Sequence, residues 1–353
     1  MQRQASELVH RQFAETKDAT LGELLDAWVQ RSQRVCRPQT ARTYAGTAKW
    51  LKEECGALSV RSFDLRQAKN LLQRVSETRR GGEAAAQQAK VALTGALAQA
   101  IDRDLIDRNF IRDIERERPQ AAPPTYLTLE QLEILRAVVL EREERTRPNA
   151  GASAGLLRWG IEACVGSGLR IGEVLALRRV DVDMDTRWLT VRATLVDGDE
   201  DGGWKNTRQT RLKVLGQARR QRASRFAIAA LREASAAGKD PDPLAPILQS
   251  RNGTFVAARN FRRQLREVRL HPGLVRALAR TELTPDDLTP HILRRTAATL
   301  SAIETGDLSR ASNLLGHTDV NTTKRHYVGV AWRQVDESDV LDTIFGRGTD
   351  VDW

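Results

Sequence analysis

The chain has 353 residues, of which 41% are hydrophobic and 29% charged. That is the composition of a folded globular protein with room for two cores, and it excludes a disordered or fibrous chain. Its 56 Lys and Arg against 46 Asp and Glu leave a net charge of +10, which points to a polyanionic partner, nucleic acid above all.

Only nine of the basic residues are Lys. Arg forks onto phosphate, so the bias suits phosphate contact, although GC-rich coding gives the same bias. Cys36, Cys55 and Cys164 have no metal-ligand spacing and suit reduced thiols. The N-terminus has no signal-peptide core, and no apolar run reaches transmembrane length, so the expectation is a soluble, cytoplasmic protein.

Residues 1–18 are polar and read as an N-terminal arm. Asp18-Ala19-Thr20 offers a helix start, with Leu21, Leu24, Leu25 and Trp28 following at helical spacing. A second helix begins at Pro38, a third spans 65–76, and an Ala-rich fourth runs from about Glu83 to Arg103 after Gly81-Gly82. Residues 19–115 are therefore expected to be an all-helical domain. The Pro-rich stretch 116–127 reads as a linker, because proline stiffens it and stops helices on either side.

The second domain, 128–331, opens with a capping box at Thr128-Leu129-Glu130-Gln131. Helices are expected at 129–146, 153–166 and 169–177. Alternation predicts a strand over 187–195 and another over 209–215, paired in a small antiparallel sheet. Further helices are expected at 222–237, at 259–269, from Pro290, and around 308–315 and 319–328. In the tail, 332–353, Val340, Leu341, Ile344 and Phe345 give a short helix an apolar stripe that must be covered. No repeat or low-complexity tract is present.

Several polar residues could carry chemistry. Arg170 follows Gly168 at a helix start, where guanidinium and helix N-terminus both favour an anion. His291 and Arg294 are three apart on one helix face. Lys205 lies at the edge of the expected hairpin, His317 follows Gly316, and Tyr327 is one of only three tyrosines. Each signal alone is weak. Their order is informative.

Gly168-Leu169-Arg170-Ile171-Gly172-Glu173, Leu288-Thr289-Pro290-His291-Ile292-Leu293-Arg294, and Leu314-Leu315-Gly316-His317 through Tyr327 resemble the three motif boxes of the tyrosine recombinases, the phage integrase family. Lys205 through Arg211 is similar to the family's β-hairpin lysine segment, and 19–115 to its core-binding domain. The resemblance implies a mainly α fold with a small antiparallel β-sheet in the second domain, and two domains closing as a C-shaped clamp on double-stranded DNA. It implies a site-specific recombinase of a bacterial cell, free of metal and cofactor, that works through a 3′-phosphotyrosine link and a Holliday junction. Tyr327 is then the nucleophile. Arg170 and Arg294 hold the phosphate, His291 serves as acid/base, His317 donates to the phosphate, Lys205 protonates the leaving oxygen, and Glu173 supports the arginines, a plain helix salt bridge being the competing view of Glu173.

The family often places Tyr one residue nearer Gly-His, where this chain has His326, and often has His where this chain has Arg295. His291, His317 and His326 lack a carboxylate or cysteine at ligand spacing, which argues against a metal. The helix bearing Arg259, Arg262, Arg263, Arg266 and Arg269 is a candidate for phosphate contacts, though a solvated face would read the same. Family members assemble as tetramers on two DNA sites and dock the tail onto a neighbouring subunit, the competing reading being that the tail packs onto its own domain; an accessory directionality factor is a further candidate partner. Residues 1–18 are too short for the arm-binding domain of many large integrases. Two alternatives remain: a type IB topoisomerase-like nicking-closing enzyme, and a DNA-binding accessory protein without catalysis.

Overall fold

The computed structural model describes residues 18–79, 81–115, 125–197, 206–210, 218–281, 283–305, 314, 333–336 and 338–345. Lys205, His317, His326 and Tyr327, with the helices expected at 308–315 and 319–328, lie outside these residues save Leu314. The chain divides into two compact units, Met1–Ala122 and Pro123–Trp353.

Among the described residues the first unit has four α-helices: α1 (Leu21–Val35), α2 (Pro38–Cys55), α3 (Leu65–Thr78) and α4 (Gly82–Ile101). Their starts are chemically marked. Thr20 and Glu23 form a reciprocal capping box before α1, as do Asp64 and Gln67 before α3, and α2 has Pro at its first turn. Gly81, at φ 112°, makes the left-handed turn into α4. The buried face of α4 is an alanine stripe, Ala86, Ala89, Ala92, Ala96 and Ala100, flanked by Leu93 and Leu97. Such small residues let neighbours approach closely. Trp28 lies so near Gly95 that a Cβ there would overlap its indole.

The second unit opens with α5 (Leu129–Ala150), capped by Thr128 and Gln131 as expected. The helix α6 (Leu156–Ser167) is buried on nearly every side and forms the centre of this core. After it, α7 (Ile171–Val174) is a single turn, shorter than the helix expected to reach Leu177.

The strand expected over 187–195 is two strands in two sheets. The first, β1 (Trp188–Val191), pairs antiparallel with β4 (Arg219–Arg222), while β2 (Thr194–Asp197) pairs antiparallel with β3 (Asn206–Gln209). The break falls at Arg192, whose guanidinium turns to the buried Asp181 at 3.0 Å, and at the buried Ala193. β4 was not anticipated, and α8 (Arg225–Ala237) starts after it, capped by Ser224, rather than at Arg222. A further strand, β5 (Arg333–Asp336), joins β4 in parallel, so the sheet order is β1-β4-β5. The remaining α-helices among the described residues are α9 (Ala258–Val268), the unanticipated α10 (Pro272–Ala279), α11 (Pro290–Thr305) and α12 (Ser338–Phe345).

In this single chain α12 packs on its own unit, against α6, α8 and α11. Leu341, Ile344 and Phe345 are buried there, and Phe345 meets Phe226 edge to face. Asp342 fixes the position. It accepts the backbone N–H of Arg225 at 2.6 Å and the Arg187 guanidinium at 2.9 Å. Among the described residues no helix is long and apolar enough to cross a membrane.

Candidate active site

The site begins where α6 ends. Gly168 takes φ 65° and donates its N–H to the Cys164 carbonyl, closing the helix in a left-handed turn. The turn delivers Arg170 to the start of α7. Glu173 then reaches back: one oxygen accepts the Arg170 backbone N–H at 3.0 Å and the other accepts its guanidinium at 3.2 Å. A side chain at Gly168 would be barred twice, by φ and by Leu314, whose Cγ would lie 2.7 Å from the new Cβ.

Arg294 comes from α11 and is fully buried. Its Nη1 donates to the Gly168 carbonyl at 2.5 Å and lies 4.0 Å from Glu173. So α11 and the α6–α7 turn meet through the two arginines that the sequence singled out. His291, one turn earlier on α11, is exposed. Arg295, which stands where the family often has His, bonds the Thr125 carbonyl and hydroxyl. Beside it, the Thr296 hydroxyl accepts from the Leu127 N–H, so α11 also secures the segment that opens this unit.

Two contributors escaped the sequence reading, both on β4. Arg219 forks onto Glu173, with Nη1 to Oε1 at 3.2 Å and Nη2 to Oε2 at 2.8 Å. Gln221, with no exposed surface, donates to the carbonyls of Ser167 and Leu314. Gln221 thus ties the arginine turn to Leu314, three residues before His317. The one sequence signal for this strand is its run of Arg and Gln immediately before a helix cap.

The electrostatics follow from this packing. Burial works against the Glu173 charge, but the Arg219 charge and bonds, helped by Arg170, outweigh it and hold the carboxyl at about 2. Burial, then the cations Arg170 and Arg219, push the Arg294 guanidinium down to about 9, so it is still a cation at neutral pH. The buried Cys164 thiol is pushed up to about 12 by desolvation and stays a neutral thiol. One buried carboxylate therefore faces three guanidiniums, a surplus of positive charge suited to an oxyanion.

The hairpin of β2 and β3 is anchored from below. Arg208 donates to the Ala176 carbonyl at 3.0 Å and pairs with the buried Asp181 at 3.2 Å, and Asn206 donates to the Phe255 carbonyl. This fixes the strand that starts immediately after Lys205. On α9, Phe261, Leu265 and Val268 face the core, while Arg259, Arg262, Arg263 and Arg266 share the exposed face. Arg263 pairs with Glu267, and Arg269, turned partly inward, pairs with Asp286. No group of His, Cys, Asp and Glu fit to hold a metal occurs among the described residues.

The sequence profile of the Phage integrase family matches residues 127–333, more than half of the chain. The chain belongs to the phage integrase family. It is 26% identical over 250 residues to tyrosine recombinase XerC of Chlorobaculum tepidum, covering 64% of this chain and 62% of that protein. It is 27% identical over 212 residues to XerD of Brucella suis biovar 1, covering 60% of each. The matches thus span about three fifths of the length of these relatives. Its fold is similar to that of the Tn1549 transposon integrase in complex with transposon right end DNA, with a TM-score of 0.66 at 20% identity, covering 85% of this chain and 92% of that one. It is also similar to a lambda integrase tetramer bound to a Holliday junction, with a TM-score of 0.57 at 17% identity, covering 89% and 81%. It has a mainly α architecture with small sheets.

Proposed function

We propose that this chain is a site-specific DNA recombinase of the tyrosine type. The observation that carries the reading is the meeting of Arg170 and Arg294 around the ionised Glu173, in a unit that matches the integrase family. Two guanidiniums brought together beside a buried carboxylate are pre-set to bind the non-bridging oxygens of a phosphodiester as negative charge builds on them.

In the proposed reaction the Tyr327 hydroxyl attacks the phosphorus and loses its proton to His291. The bond from phosphorus to the 5′-oxygen breaks, and that oxygen takes a proton from Lys205. His317 donates to the phosphate. The products are a 3′-phosphotyrosine and a free 5′-hydroxyl. A second strand's 5′-hydroxyl reverses the attack, which releases the tyrosine and leaves a Holliday junction after one exchange. The protein partner is a second copy of the chain, up to a tetramer on two DNA sites, and the role is integration or excision of a mobile element in the bacterial cytoplasm. The solved relatives bound to transposon-end DNA and to a Holliday junction support this reading.

The test is covalent capture. A nicked duplex pool of randomised sequence is incubated with the protein and resolved on a denaturing gel. The expected result is a protein–DNA adduct that Tyr327→Phe abolishes while duplex binding survives, and that EDTA leaves intact. An adduct of unchanged yield in Tyr327→Phe overturns the choice of nucleophile.

A further inference from the structure

We infer that Arg219 is a positioning residue for phosphoryl transfer: by occupying both oxygens of Glu173, it leaves Arg170 and Arg294 to the DNA phosphate. The inference rests on the recombinase reading above. Its geometry does not. Among the three guanidiniums around this carboxylate, Arg219 makes the bidentate contact, at 2.8 and 3.2 Å. Arg170 makes one side-chain bond at 3.2 Å, and Arg294 stands 4.0 Å away. The carboxylate's charge is thus met chiefly from β4, a strand outside every motif box. The Arg219 side chain is 11% exposed, whereas that of Arg170 is 32% exposed and can still meet a ligand.

Competition for charge gives the pair its role. A buried carboxylate must be compensated. Without Arg219, Glu173 would draw in Arg170 and Arg294, the nearest remaining cations. Each guanidinium spent on the carboxylate is lost to the phosphate, and the local surplus of positive charge falls. Arg219 is held for this task from two sides, because β4 lies between β1 and β5 with Arg219 opposite Val191 and Arg333. Its Nε also lies 3.5 Å from the Gln221 side chain, which secures the arginine turn.

The test uses the full-length protein and a nicked duplex recovered by the covalent capture described above. Arg219→Gln is expected to slow adduct formation about tenfold or more, within the range for coupling inside one charge network. Duplex affinity should hold within about twofold, because it is summed over many phosphate contacts. Arg219→Lys, which keeps the charge and loses the fork, should fall between the two. The decisive variant is the double substitution Arg219→Gln with Glu173→Gln. A neutral amide has no need of a cation, so the double variant should cleave faster than Arg219→Gln alone. If Arg219 merely braces β4 against α7, the double variant will be as slow as the single or slower, and that result overturns the inference. Equal rates for Arg219→Gln and the native protein would also overturn it while leaving the recombinase reading intact. Absence of any adduct from the native protein overturns both.

Discussion

Glu173 is buried yet ionised, and its neighbours make that state depend on pH. Its carboxyl titrates near 2 in the folded chain against an ordinary value of 4.5. A lowered folded value means that the unfolded chain binds the proton more readily. The stability from this charge is complete above about 4.5 and is lost as pH falls from there toward 2. The size is up to roughly 3 kcal/mol at neutral pH, from about 1.4 kcal/mol per unit. Glu173→Gln should therefore lower stability at pH 7 by a few kcal/mol, while the two proteins converge as pH drops toward 2. Urea melts at several pH values read this directly, and a gap that stays constant down to pH 2.5 would contradict it. Gly168 shows the same interdependence by shape, since its lack of a side chain leaves the room that Leu314 occupies against the arginine turn.

At the scale of elements, α1, α2, α5 and α11 were legible because their starts carry chemistry: Thr20 with Glu23, Thr128 with Gln131, and Pro at the first turns of α2 and α11. Arg170, Glu173 and Arg294 were legible from motif order and do meet. What escaped was β4. A strand announces itself by apolar alternation, but here the inward positions are Arg219 and Gln221, whose partners are a carboxylate and carbonyls distant in sequence. The break between β1 and β2 was hidden in the same way, because Arg192 reads as one more polar alternation until Asp181 is seen beneath it. The place of α12 was also beyond the sequence, which shows an apolar stripe but not the surface that covers it. Asp342 is the polar part of that docking. Asp342→Ala leaves the Arg225 N–H and the Arg187 guanidinium short of a partner, at a cost of about 1–3 kcal/mol. Hydrogen exchange over 338–345 should rise in this variant while exchange in α1–α4 is unchanged. Equal protection of 338–345 in both proteins would show that apolar contact alone holds the helix.

For the molecule as a whole, the +10 charge is a statement about salt. Binding to duplex DNA should weaken steeply as salt rises, because each phosphate contact releases counterions. The exposed face of α9 allows this to be apportioned. Replacing Arg259, Arg262 and Arg266 together by Ala should flatten the slope of log affinity against log salt by about 2 to 3, near 0.9 per contact. An unchanged slope would make α9 a solvated face. Stability should change little, since the core side of α9 is Phe261, Leu265 and Val268.

The parallel strand β5 sets a length scale. Arg333 follows Tyr327 by six residues, and a trans peptide chain spans at most about 3.6 Å per residue, so their Cα atoms lie within about 22 Å of each other. Arg333 is in turn paired with Arg219 across the sheet. The tyrosine is thus on a short leash whose peg is the strand that clamps Glu173. In the proposed reaction the phosphate that Tyr327 attacks must fall inside that radius, extended only by the phenol's own length, for as long as β5 stays zipped to β4.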